Sequence, residues 1–275
     1  MGYIKDGLKN VLKIVLNRKF FFILLIFIQI LYLVAGASTL LYFQVKILED
    51  VQGITNPLGT ANFDEKAIEA GQPLLKDILP IYERYKSLRT NLYLLAGWQL
   101  LLFLVLNGIL WIASHKMFYK TKFKIKDWLK QCLKFTVSTI LFLITFISIV
   151  YVLLKTFFWQ EIMAGSITSA SDAILIVFLV LYYFLMSAFA LITTPSWKLF
   201  LKQFGDVTFS KIFVGGTLFL INLALIIGIL TAIYFLTLNP QLFSIALVLL
   251  LLLMISVVIL RLIWISILQN AKNNY

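Results

Sequence analysis

Four uncharged amides lie inside strongly apolar runs, and they are the residues whose type and position could support binding chemistry. They are Gln29, Gln99, Asn107 and Asn222. A polar side chain in hydrocarbon needs a hydrogen-bond partner, which a neighbouring helix ordinarily supplies for roughly 0.6 kcal/mol per pair. The alternative is that all four amides line a polar path for a small uncharged or lipid-like molecule.

Residues typical of catalysis are scarce in this sequence. It has a single histidine, His115, and a single cysteine, Cys132, which excludes an internal disulfide. Phosphate-binding glycine loops, nucleophile elbows and zinc-binding His-Glu-x-x-His motifs are missing. We therefore predict a non-enzyme without metal or cofactor. The acidic residues of the long polar segment are interpreted as a solvated face; they are Glu49, Asp50, Asp64, Glu65, Glu69, Asp77 and Glu83.

The composition indicates which elements must position these residues. The chain is 61% hydrophobic and only 13% charged, and its apolar runs are long enough to cross a ~30 Å hydrocarbon layer as helices. We predict an all-α, polytopic transmembrane helix bundle of six spans. The predicted spans are 20–45, 92–114, 135–154, 173–194, 212–238 and 241–260, separated by an external loop at 46–92 and an Asn239-Pro240 turn.

A lysine-rich stretch from 115 to 134 organises the predicted topology. Between Ile125 and Lys134, apolar residues recur on one helical face and lysines on the other, a pattern typical of a helix at the membrane surface. A short solvated loop is the alternative. The predicted contacts with anionic lipid headgroups are Lys122, Lys124, Lys126, Trp128, Lys130 and Lys134.

This stretch is repeated elsewhere. Residues 4–13 read IKDGLKNVLK and residues 125–134 read IKDWLKQCLK, with a fainter third copy from Lys211. The pattern favours three units, each an amphipathic lead-in followed by two spans; the lead-ins are 1–19, 115–134 and 196–211. The chain resembles uncharacterised six-span membrane proteins of archaeal type that carry an Ile-Lys-Asp-x-Leu-Lys lead-in. The resemblance implies no functional residues.

The charge distribution predicts the orientation. Most of the 24 lysines and arginines fall on one side if both termini are cytoplasmic, as the positive-inside rule requires. We predict a cell-membrane location, and we assign the net charge of +12 to lipid contact rather than nucleic acid. A cleaved signal peptide ending near Ala35-Gly36-Ala37 is the alternative for the first span.

Two further features concern packing. Ala224, Gly228 and Ala232 recur every four residues in the fifth span, which predicts close helix approach inside the bundle or, alternatively, in a homo-oligomer. Arg261 follows the sixth span and is interpreted as an anchor at its end, with the tail 261–275 leaving along the cytoplasmic surface.

These patterns favour a non-catalytic membrane protein that acts as a scaffold or accessory subunit, with basic surface helices on anionic lipid and with a membrane-protein partner or a second copy as its binding partner. The alternative function is a carrier or permease whose path is lined by the four amides. A membrane enzyme is a third hypothesis, and it would need the loop carboxylates to gather at one point.

Overall fold

The structure, a computed structural model, describes residues 2–59, 79–118, 125–164, 168–210, 212–238 and 240–272. These residues are helical almost throughout and contain no β-strand. The α-helices are α1 (Gly2–Asn17), α2 (Lys19–Gly59), α3 (Leu79–Leu102), α4 (Gly108–Phe118), α5 (Ile125–Ala164), α6 (Thr168–Ala190), α7 (Trp197–Gly205), α8 (Ile212–Thr237) and α9 (Phe243–Lys272).

Six helical stretches are long and apolar enough to cross a membrane. They are Lys19–Pro57, Leu79–Phe118, Ile125–Thr156, Ser171–Ala190, Ile212–Thr237 and Ser244–Leu268. A helix satisfies its own backbone hydrogen bonds, so it is the form these sequences can take where water is absent. The all-α, six-span prediction is confirmed.

The described chain forms two compact units. Unit one comprises Met1–Gln29 and Leu106–Tyr275, and unit two comprises Ile30–Val105. In unit one, α9 packs against α1, α4, α6 and α8, while α5 packs against α6 and α4. In unit two, side-chain hydrogen bonds link α2 to α3.

The long polar segment is largely helical. At ~1.5 Å per residue, the 41 residues of α2 are about 60 Å long, roughly twice the hydrocarbon thickness. Helix α2 therefore continues through the first part of the predicted 46–92 loop, and α3 already begins at Leu79.

The lead-in at 115–134 differs from the separate surface helix that the sequence predicted. His115 to Phe118 belong to α4, whereas Ile125 to Lys134 are the first turns of α5. Residues 125–154 contain neither glycine nor proline, so nothing ends the helix after Lys134 and the backbone hydrogen bonds continue into the span.

The end of the chain also corrects the prediction. Leu262, Trp264 and Leu268 are buried, and α9 continues without a break to Lys272. The tail therefore does not leave along the surface over these residues. Residues 262–268 are apolar on every face of the helix apart from Ser266, and α1 packs against α9, which is the typical environment for such a sequence.

Candidate functional site

A buried arginine joins the first and last span helices of unit one. Arg261 is 7% exposed and Gln29 is 6% exposed. Nη2 of Arg261 donates to Oε1 of Gln29 at 2.9 Å, and the guanidinium lies 5.5 Å from the ring centroid of Trp111. The amide and the aromatic face stabilise a charge that hydrocarbon alone would disfavour. Arg261 is thus an interior contact, which corrects its interpretation as an end anchor.

Side chains from three other helices bond to the carboxyl-terminal end of α6. His115 of α4 donates from Nε2 to the carbonyl of Phe189 at 2.9 Å. Trp264 of α9 donates from Nε1 to the carbonyl of Met186 at 3.1 Å. Phe189 is one of the last four residues of α6, whose carbonyls lack partners within the helix, so His115 meets a need that the backbone creates.

The ammonium of Lys134 completes this arrangement. It donates to the carbonyl of Thr194, just beyond α6, and to Oγ1 of the same residue at 3.1 Å. The same ammonium lies 5.9 Å from the ring centroid of Trp197 and 5.7 Å from that of Phe200. A cation at a helix carboxyl terminus is favourable because it opposes the helix dipole. Lys134 is only 2% exposed, which corrects its assignment as a lipid contact.

The four predicted path residues have separate environments. In unit two, Gln99 donates from Nε2 to the carbonyl of Gly36 at 2.9 Å, whereas Gln29 bonds to Arg261 in unit one. Asn107 is buried at the end of a π-helical turn, Phe103–Asn107. Asn222 is buried on α8, where its Oδ1 has no hydrogen-bond partner among the described residues. Two of the four amides are therefore bonded within their own units.

The small-residue stripe of α8 does not pack within the described chain. Ala224, Gly228 and Ala232 are all exposed, and a Cβ added at Gly228 would have no neighbour within 4 Å. This corrects the prediction that the stripe lies inside the bundle. The hypothesis of a contact between two copies stays a prediction.

The remaining predicted lipid contacts lie at the start of α5. Lys126 and Lys130 are exposed and Trp128 is half-buried, whereas Lys122 and Lys124 lie outside the described residues. The apolar residues beside them are exposed as well, namely Ile125, Leu129 and Leu133. Lysines and large apolar side chains exposed on the same turns suit the boundary between headgroups and acyl chains.

Unit two contains a polar network that the sequence interpretation missed. Asp50 is buried and accepts hydrogen bonds from Oγ of Ser87 at 2.9 Å and Nδ2 of Asn91 at 2.8 Å. Arg84 forms a 3.4 Å ion pair with it. Asp50 is therefore an interhelical acceptor and not part of a solvated face. Glu49 and Glu83 are exposed, and the other four loop acids lie outside the described residues.

A groove of about 280 Å³ lies between α5, α6, α7 and the π-helical turn Asp206–Ser210. Ten of its twelve lining side chains are hydrocarbon or aromatic, and the other two are the hydroxyls of Ser138 and Thr145. None of the four predicted path amides lines this groove. Its chemistry fits a hydrocarbon chain far better than a polar solute.

The fold and these contacts define a multi-pass integral membrane protein. No known protein family, curated protein or solved structure matches the chain, so the resemblance to archaeal-type proteins stays a prediction. Among the described residues, three or more His, Cys, Asp or Glu side chains do not gather anywhere in a group that could hold a metal ion.

Proposed function

We propose that the protein is a non-catalytic membrane scaffold or accessory subunit that holds anionic lipid through its basic lead-in helices. One observation supports this choice above the others. The polar side chains of Gln29, Gln99, His115, Lys134 and Arg261 each bond to another element of their own unit. Polar residues used in this way stabilise a fixed helix arrangement.

Lipid binding is supported by the charge and exposure of the lead-ins. Lys126 and Lys130 are exposed on the first turns of α5, and Lys5 and Lys9 are exposed on α1. Each lysine near an anionic surface contributes about 1 kcal/mol of attraction. In the predicted orientation, these lysines lie on the cytoplasmic side together with both termini.

The carrier hypothesis has less support. It requires Gln29, Gln99, Asn107 and Asn222 to face one path, whereas Gln29 and Gln99 each use one polar atom of the amide to bond to another helix of their own unit. Of these four amides, only Asn222 has a buried oxygen without a hydrogen-bond partner among the described residues.

The test is headgroup-dependent stabilisation of the purified protein. In neutral detergent, phosphatidylglycerol should raise the melting temperature more than phosphatidylcholine does. Replacing Lys126 and Lys130 by Gln should reduce that difference, because two of the attracting charges are lost. The matched control replaces Lys86 and Arg89, which are exposed in unit two. Equal stabilisation of the native protein by the two lipids would contradict the proposal.

A further inference from the structure

The groove beside α7 has a buried floor and an exposed apolar rim. Leu185, Ala188 and Phe200 are buried at its base. At its edges, Leu141 is 59%, Leu201 62% and Phe209 63% exposed. A concave apolar surface that opens between exposed apolar side chains is accessible from the lipid phase.

The size of the groove limits what can occupy it. Its 280 Å³ is just below the ~300–1,000 Å³ of sites that enclose a whole drug-sized ligand. It can therefore hold a segment of a flexible chain and leave the rest of the molecule outside. Because its lining is almost entirely apolar, that segment must be hydrocarbon.

Helix α7 places positive charge beside this hydrocarbon site. The helix lies between the candidate spans Ser171–Ala190 and Ile212–Thr237, so it lies at a membrane surface. Phe200 and Leu201 line the groove. The exposed Lys198 lies one turn before the rim residue Leu201, and the exposed Lys202 lies one turn after Lys198. An apolar cleft lined by a helix that also carries two exposed lysines is complementary to an amphiphile with a negative head.

A buried lysine, Lys134, also lies next to a side chain at the base of the groove. The ammonium of Lys134 is 5.7 Å from the ring centroid of Phe200, a floor residue of the groove. Trp197 begins the same helix and is partly exposed, in the position that tryptophan favours at a membrane interface. The end of the groove near α7 therefore lies at headgroup depth.

We propose that this groove binds one acyl chain of an anionic phospholipid whose phosphate contacts Lys198 and Lys202. The inference rests on the proposed function, because it takes anionic lipid to be the partner of the basic lead-ins. The inference adds a specific binding site, formed by α7 and the groove, for one lipid molecule among the many around the protein.

The first arm of the test fills the groove. Ser138→Phe places a ring among the lining side chains, and Ile144→Phe is the control, since Ile144 is exposed on the same helix and does not line the groove. Protein from nanodiscs of phosphatidylglycerol and phosphatidylcholine is examined by native mass spectrometry. The native chain and the control should retain one phosphatidylglycerol, and Ser138→Phe should retain at least fivefold less.

The second arm removes the charges and leaves the groove open. The double variant Lys198→Gln/Lys202→Gln should still retain a lipid but should lose the preference for phosphatidylglycerol. If Ser138→Phe does not fold, Leu201→Asn changes an exposed rim residue and should give the same loss. Unchanged retention in Leu201→Asn, or in a folded Ser138→Phe, would overturn the proposal.

The outcomes separate this inference from the proposed function. If the Lys126/Lys130 variant loses headgroup-dependent stabilisation while a folded Ser138→Phe still retains phosphatidylglycerol, the proposed function stands and the groove inference fails. If phosphatidylcholine is retained as well as phosphatidylglycerol in the native protein, the anionic headgroup is wrong. A groove-dependent dimer mass, or retention of a free fatty acid in place of phospholipid, would identify a different occupant and would also overturn the inference.

Discussion

The guanidinium of Arg261 bonds to the amide of Gln29 across 232 residues of sequence, at 2.9 Å. This contact joins α9 to α2 within unit one, and Trp111 contributes a ring face to the same guanidinium. An arginine so placed orients the helices that surround it, because its planar donors accept few alternative geometries.

A double-mutant cycle should reveal this coupling. Gln29→Leu removes the acceptor of a buried charged donor, and Arg261→Met removes the donor and the ring contact. Both single variants should be less stable than the native chain. The double variant should recover about 0.6–1.7 kcal/mol relative to the sum of the two, an interval from the mean to the largest value measured for hydrogen bonds between membrane helices. Unfolding in mixed detergent micelles is the measurement.

The control pairs Arg261→Met with Gln99→Leu. Gln99 bonds to the carbonyl of Gly36 in unit two and shares no partner with Arg261, so the two effects should add. Strict additivity in the Gln29 cycle as well would contradict a direct interaction between Gln29 and Arg261.

The sequence predicted the class of fold because lipid imposes one simple rule. Apolar runs of about 20 residues must become helices, and all six did. The contacts of Arg261 and Lys134 were not predictable in the same way, because their partners are distant in sequence. Arg261 bonds to the amide oxygen of Gln29 and Lys134 to the backbone carbonyl of Thr194, and neither acceptor carries a charge that the sequence would reveal. The partners of Asp50 could have been recognised from the sequence. Ser87 and Asn91 are four residues apart, so they lie on one face of α3 and can bond to the same acceptor.

Neighbouring glycines of α8 should respond in opposite ways to alanine. At Gly215 an added Cβ would lie 2.6 Å from the hydroxyl and 3.2 Å from Cε2 of Tyr183, whereas at Gly216 it would meet nothing within 4 Å. Tyr183 cannot easily move, because it is buried and packs on Phe219 and Trp264.

Gly215→Ala should therefore destabilise the protein by about 1–3 kcal/mol, as overpacking does. Gly216→Ala should be neutral or stabilising by up to ~1 kcal/mol, because alanine favours a helix more than glycine. Thermal unfolding in one detergent compares the two. Equal melting temperatures would show that the helices do not approach each other so closely at Gly215.

The link between α2 and α3 should depend on Asp50. Asp50→Ala leaves Ser87 and Asn91 without their common acceptor, which should cost about 1–3 kcal/mol in local stability. The adjacent Glu49→Ala is the control, since Glu49 is exposed. Hydrogen exchange of the backbone between 79 and 92 should accelerate in the Asp50 variant alone. Similar exchange in both variants would mean that the network contributes nothing to the pairing of these helices.

Two lysines one turn apart on α5 should differ in chemical reactivity. Lys130 is exposed, whereas Lys134 is buried and bonds to Thr194. Acylation of the folded protein should modify Lys130 at least roughly tenfold faster than Lys134, since a buried amine reacts only after local opening. Peptide mass spectrometry quantifies each site, and the denatured protein supplies the reference rates. Comparable rates in the folded protein would place Lys134 on the lipid-facing surface.

The orientation can be tested because the chain has a single cysteine, Cys132. With Cys132→Ala as background, Lys5→Cys, Lys126→Cys and Lys86→Cys each carry one thiol at an exposed position. In intact cells an impermeant maleimide should label Lys86→Cys. It should label the other two only after permeabilisation, because lysine-rich lead-ins stay on the cytoplasmic side. Labelling of Lys5→Cys and Lys126→Cys from opposite sides would break the predicted order of spans, since an even number of crossings must separate these two positions.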